Sequence, residues 1–179
     1  MLKKYEKIIK RVCNPEYPKT LKVRMANGFY YATDMFRVVR FEDRIDDMPL
    51  YADNECPLDY DKYLNVAADC EYDALEIPYT AAQIKAWRKA ERKKTKCAKI
   101  PFNLGTFVRP GIIARWIAIN SDFLIDAMET TKSNIVHIPK ENSSMLLMQG
   151  NGFVWLIMPV IIEGYESDKH MTEIEIKEN

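Results

Sequence analysis

The 179-residue chain reads as an α+β protein of antiparallel sheets carrying two or three helices. Three observations predict this class. Apolar residues recur at helical spacing in three separate stretches, runs rich in β-branched and aromatic residues lie between turn signals, and a β-α-β-β-β succession occurs more than once. Hydrophobic residues make up 47% and aromatics 11%, enough to pack a core, and the length suits one domain over 1–179.

The first element is a helix. Leu2, Tyr5, Ile8, Ile9 and Val12 recur at helical spacing, while Lys3, Lys4, Lys7, Lys10 and Arg11 take the other faces and "NPEYP" ends the run. "LKVRM" then alternates, "ANG" signals a hairpin, "FYYAT" follows, and "FRVVRF" comes after a turn at Asp34–Met35. Residues 43–73 form an acidic insertion without a clear period, interrupted by "MP" and "CP", and read as a loop-like excursion with room for a short helix.

"ALEIPY" predicts a strand and "TAAQIKAWRKAERKK" a helix, with Thr80 as N-cap and Gln83 completing a capping box. Ile84 and Trp87 are its apolar members. Its basic members are Lys85, Arg88, Lys89, Arg92, Lys93 and Lys94. Two extended pieces follow, "CAKIPFNLG" and "TFVRPGIIARWIAIN". A third helix, "SDFLIDAMETT", takes Ser121 as N-cap and turns Phe123, Leu124, Ala127 and Met128 inward. Three strands close the fold, "NIVHIP", "SMLLMQ" and "GFVWLIMPVII", the last two joined at Gly150–Gly152. Within the polar tail, 165–179, "TEIEIK" alternates as an edge strand would.

Charge is unevenly spread. The chain is neutral overall, yet Glu42–Glu76 holds twelve acidic and two basic residues, a net of −10 that leaves +10 on the remainder. The carboxylates lack the spacing of a calcium loop, so the segment reads as a solvated acidic loop ahead of a cation site or a DNA mimic. Cys13, Cys56, Cys70 and Cys97 form no CxxC pair, and His137 and His170 stand alone, so no metal site is expected. No nucleophile–base pair, carboxylate dyad or phosphate-cradling glycine loop stands out. The expectation is therefore no catalytic residue and no cofactor. Trp87, Trp116 and Trp155 read as packing residues. The basic N-terminal stretch lacks the apolar run of a signal peptide and no segment is long enough to span a bilayer, so a cytoplasmic protein without a membrane partner is expected.

Two stretches carry a family resemblance. "YYATDMFRVVR" is similar to the "ATDGHRLA" signature in the middle domain of the bacterial sliding clamp, the beta subunit of DNA polymerase III. "AINSDFLIDAMETTKSNIVHIPKENSSMLLMQGNGFVWLIMPVII" resembles the end of that family's third domain, where an N-x-x-Y helix leads through a Ser-Ser strand to "V-M-P-M-R-L". The resemblance covers roughly the first forty residues, Leu75 to Lys94 and the last sixty-odd. It implies a shortened clamp-like relative, about one to one and a half clamp modules long, with a DNA-clamp-like fold.

In that family the two pieces meet in an apolar pocket that receives linear peptides from polymerases and repair proteins. Carried over, the resemblance implies Thr33, Met35, Phe36, Arg37 and Val38 from the first piece. From the second it implies Asn120, Phe123, Ser144, Ile157, Met158, Pro159, Val160 and Ile161. Met35, Phe36, Met158 and Val160 would supply an adaptable apolar groove, and Asn120, Ser144 and Arg37 polar groups for a peptide backbone. The chain departs from the family where Met35 and Phe36, side chains large enough to fill part of such a pocket, replace a glycine and an imidazole. Ile161 likewise replaces an arginine.

The family also encircles duplex DNA with positive helices. By that likeness Lys3, Lys4, Lys7, Lys10 and Arg11 on the first helix, and Lys85, Arg88, Lys89, Arg92 and Lys93 on the second, would meet phosphates without reading sequence. The third helix, with Asp122, Asp126 and Glu129, would not. Family chains carry three domains and close a ring as dimers. Two copies of a chain this size are too small for such a ring, so a ring requires a larger homo-oligomer. Three readings stand open: a non-enzymatic replication-associated clamp-like protein, a clamp-fold protein-binding module without a ring, and a metal-dependent enzyme using the acidic segment.

Overall fold

The computed structural model describes residues 2–13, 20, 22–46, 48–52, 60–97, 99–109, 112–140 and 145–160. The elements are α1 (Leu2–Val12), β1 (Arg24–Ala26), β2 (Phe29–Thr33), β3 (Arg37–Phe41), α2 (Tyr60–Asp69), β4 (Tyr72–Glu76), α3 (Ala81–Thr95), β5 (Pro101–Arg109), β6 (Ile112–Asn120), α4 (Ser121–Thr131), β7 (Ile135–Pro139), β8 (Leu146–Gly150) and β9 (Phe153–Ile157). The architecture is α+β with antiparallel pairing, as the sequence predicts. The described residues hold four helices rather than two or three, and the additional one, α2, lies in the acidic segment. The strand read at "ALEIPY" begins two residues earlier, at Tyr72.

Seven strands form one sheet in the order β1-β2-β3-β9-β8-β7-β4, and β5 and β6 pair as a separate ribbon. The central join is β3 against β9, with Arg37 opposite Ile157 and Val38 opposite Leu156. It brings two stretches more than a hundred positions apart into one register. Two Asn-Gly turns set the flanking hairpins. Asn27 and Gly28 have φ of 51° and 79°, and Asn151 and Gly152 have 49° and 76°, the paired left-handed conformations that a two-residue hairpin loop needs.

Side chains alternate across this sheet. Ala32, Val39, Phe41, Trp155 and Ile157 face a core completed by Ile8, Ile9 and Val12 of α1, Ile84 of α3, and Leu124, Ile125, Ala127 and Met128 of α4. Tyr31, Val38 and Leu156 face the other way, where Tyr60, Leu64 and Ala67 of α2 cover them. Those three sit at i, i+4 and i+7, so the acidic segment does carry one apolar helical stripe. Trp87 of α3 meets Phe102 of β5 edge-on at 5.6 Å, which supports its reading as a packing residue. Trp155 is fully buried and its Nε1–H donates to Thr130 Oγ1 at 2.8 Å.

The helix caps are mixed in outcome. Thr80 and Gln83 form the expected reciprocal box at the start of α3. At α4 the cap is Asn120, not Ser121. Asn120 Oδ1 accepts from the Asp122 N–H at 3.0 Å, and Ser121 is the buried first helical residue. Asn120 ends β6 opposite Pro101, so the strand fixes where the helix can start. The tail at 165–179 lies outside the described residues. No helix among the described residues is long and apolar enough to cross a membrane.

Candidate functional site

The turn between β2 and β3 is built by side chains bonding to their own backbone. Thr33 Oγ1 donates to the Arg37 carbonyl at 2.7 Å and accepts from the Met35 N–H at 3.0 Å. Asp34 Oδ1 accepts from the N–H groups of Phe36 and Arg37 at 3.0 and 3.1 Å. This is what a short hydroxyl and a short carboxylate do best at a turn. The result holds Met35 at φ 75°, the left-handed region that a non-glycine residue seldom visits. Met35 and Phe36 are thereby turned out to solvent.

They do not stand alone. The chain leaving β9 runs beside them, and the Met158 N–H donates to the Phe36 carbonyl at 2.9 Å. Two residues on, the Val160 N–H donates to the Ala118 carbonyl of β6 at 2.8 Å. Met35, Phe36, Met158 and Val160 are 42, 46, 42 and 37% exposed, four of the seven large apolar side chains so exposed among the described residues. Pro159 lies half-buried between them. An apolar patch of this kind, formed from two distant pieces of chain, marks a contact surface more often than a defect of packing.

Beneath the patch the charge is neutralised. Arg37 is buried, its Nε 2.9 Å from Asp34 Oδ2 and its Nη1 2.8 Å from Asp126 Oδ2 on α4. Its guanidinium carbon lies 4.2 Å from the centre of the Phe123 ring and 5.5 Å from that of Trp155. Asp126 also takes Arg11 Nη2 at 2.6 Å. Burial pushes the Asp126 carboxyl above its ordinary range, against the pull of Arg37 and Arg11.

Of the thirteen expected pocket residues, Met35, Phe36, Met158, Pro159 and Val160 come together at the surface. Thr33, Arg37, Asn120 and Ile157 are buried as the frame under them, and Phe123 is half-buried against Arg37. Val38 is buried on the opposite sheet face, against Tyr60. Ser144 and Ile161 lie outside the described residues. Two members were missed. Asp126 is 89 positions from Arg37, and periodicity on α4 marks it only as a polar residue. Lys99, with its ammonium 5.6 Å from the centre of the Phe36 ring, sits in a stretch with no motif.

The basic helices divide. Arg11 is bonded to Asp126, Lys10 to Glu6 at 2.7 Å, and Arg88 and Arg92 both to Asp122, the latter at 2.6 Å. Burial and the neighbouring Arg92 pull the Arg88 guanidinium below its ordinary value. Lys7, Lys85, Lys89 and Lys93 remain exposed. Lys85, Arg88, Lys89, Arg92 and Lys93 line one open groove of about 330 Å³ along α3. The side chains of Lys3 and Lys4 lie outside the description. Among the described residues no three His, Cys, Asp or Glu side chains converge on a point where a metal could sit.

A seven-stranded antiparallel sheet backed by α1, α3 and α4 defines the class of protein by its fold, and that fold is similar to the DNA clamp. The likeness comes from the solved DNA polymerase III subunit beta of Borrelia burgdorferi, in complex with a natural product, with a TM-score of 0.53 and 11% identity. It covers 89% of this chain but 61% of that one, so the match spans less than two thirds of the clamp chain. No family model matches the sequence, and no curated protein matches it either.

Proposed function

We propose that this chain is a non-enzymatic, clamp-like protein of DNA replication that binds linear peptides of polymerases or other replication proteins on the Met35–Phe36–Met158–Val160 patch. The single observation that carries this is the juxtaposition across β3 and β9, which leaves two exposed side chains from each of two distant segments side by side. Methionine and phenylalanine on a rigid frame suit an extended peptide with Leu or Phe anchors, because unbranched and flat side chains adapt to it. In this reading Arg37, Asn120 and Phe123 act from below by holding the frame, and the exposed lysines of α3 and α1 lie toward duplex DNA without reading its sequence.

The test is a titration of a fluorescent Leu/Phe-containing clamp-binding peptide against the protein and its Met158→Asp variant. A carboxylate in the middle of the patch is expected to weaken binding at least ~10-fold, since a desolvated unpaired charge costs more than an anchor contact contributes. Equal binding by both proteins removes the patch from consideration.

A second reading is a clamp-fold protein-binding module that neither forms a ring nor encircles DNA. One observation favours it: Arg11, Arg88 and Arg92 already spend their charge on Asp122 and Asp126, which leaves lysines alone to face phosphate.

A further inference from the structure

The charges around the patch do not balance. Asp34 and Asp126 hold Arg37, and Asp126 also holds the exposed Arg11, so two carboxylates meet two guanidinium groups. Lys99 is different. It is exposed, its ammonium stands over the outward-facing Phe36 ring at 5.6 Å, and no carboxylate among the described residues pairs with it. A cation over a ring face keeps its remaining hydrogen-bond donors directed away from the ring. Lys99 is exposed beside the exposed Phe36, so those donors are within reach of a ligand seated on the apolar surface.

Resting on the patch as a peptide-docking surface, we propose that the occupant is an acidic linear peptide. It presents an apolar anchor to Met35, Phe36 and Met158 and a carboxylate, from Asp, Glu or a chain terminus, to Lys99. Lys99 is then a specificity-determining residue. It selects among peptides that share the same apolar anchor, and its pairing is strengthened where the anchor displaces water from Phe36.

The experiment compares two peptides of equal length and equal Leu-Phe anchor, one with Asp and one with Asn next to the anchor. Each is titrated by fluorescence polarisation against wild type, Lys99→Glu and Met158→Asp, at low and at high salt. Wild type is expected to prefer the Asp peptide by about two- to fivefold at low salt, the range of a rim-exposed ion pair. High salt should shrink that preference. Lys99→Glu should invert the preference, and Met158→Asp should weaken both peptides. Equal affinity of wild type for the two peptides overturns the inference and spares the docking surface. Loss of both peptides alike in Lys99→Glu also overturns it, by making Lys99 a structural residue. Failure of wild type to bind either peptide overturns the docking surface and this inference with it.

Discussion

Arg37 lies between two buried carboxylates, and the three side chains are all under 10% exposed. This arrangement predicts an asymmetry between its members. Arg37→Met keeps the aliphatic stem but leaves buried Asp34 without a cation and Asp126 with only the exposed Arg11. Breaking a buried pair by removing one partner costs about 3–5 kcal/mol. Asp126→Asn removes one carboxylate charge and leaves Arg37 in a one-to-one pair with Asp34. Arg11, 63% exposed, can return to water. The loss is one charge-assisted hydrogen bond, about 1.5–3 kcal/mol, reduced because burial already disfavours the Asp126 charge. About 1–2 kcal/mol is expected.

Equilibrium urea unfolding separates the two. With a slope of about 2 kcal/mol per molar, Arg37→Met should lower the midpoint by roughly 1.5–2.5 M and Asp126→Asn by roughly 0.5–1 M. The double variant should be more stable than Arg37→Met alone, because the buried Asp126 charge that has lost Arg37 is then removed and only Asp34 is left without its cation. Equal losses, or a larger loss for Asp126→Asn, would refute the reasoning.

The same carboxyl fixes a sign with pH. Because the folded value of Asp126 is raised, the native chain binds its proton over a range where the unfolded chain, titrating near about 3.9, has released it. Stability from this group therefore falls as pH rises through that range, and its penalty is fully present above it. Arg37→Met removes the strongest pull that opposes the rise, so its deficit relative to wild type should shrink as pH is lowered from 7 toward 4. Asp126→Asn should show no such recovery. A deficit for Arg37→Met that stays constant over this range contradicts the assignment.

Two further outcomes are expected. Met35→Gly relieves a left-handed residue worth about 1–2 kcal/mol against about 0.5–1 kcal/mol of added chain entropy. Thermal unfolding should show unchanged to slightly raised stability, while peptide affinity falls with the lost side chain; clear destabilisation would mean that Met35 is held by packing. Replacing Lys85, Lys89 and Lys93 together with Glu should lower the slope of log affinity for duplex DNA against log salt by about 2–3. An unchanged slope would move the chain to the reading without DNA contact.

Much of this fold was legible because local signals agreed with one another. Asn27–Gly28 and Asn151–Gly152 specify hairpins whatever surrounds them, and Thr80 with Gln83 caps α3 without tertiary help. Where two local signals competed, the sequence could not choose. Asn120 and Ser121 are both good caps, and pairing of Asn120 with Pro101 decides between them. The stripe of Tyr60, Leu64 and Ala67 was hidden by the acidic residues around it and by the prolines before it. Asp126 was beyond reach for a different reason. Its partner is set by the β3–β9 register, and no pattern within α4 distinguishes a carboxylate that meets solvent from one that meets a buried arginine.

The turn at Thr33–Arg37 holds a left-handed backbone without a glycine. Where the signature has glycine, this chain has Met35 at φ 75°. Glycine would reach that conformation without strain, but four hydrogen bonds from the Thr33 and Asp34 side chains to backbone groups hold it with methionine in place. The backbone shape thus depends on Thr33, Asp34 and the buried Arg37, and the identities of Met35 and Phe36 are left free to vary. Instead of filling a hollow, those two side chains stand out beside Met158 and Val160 and become the surface itself. A change at position 35 or 36 should therefore alter which partner is accepted. A change at Thr33 or Asp34 should abolish the surface altogether, since it removes the side-chain bonds that hold the turn in the left-handed conformation.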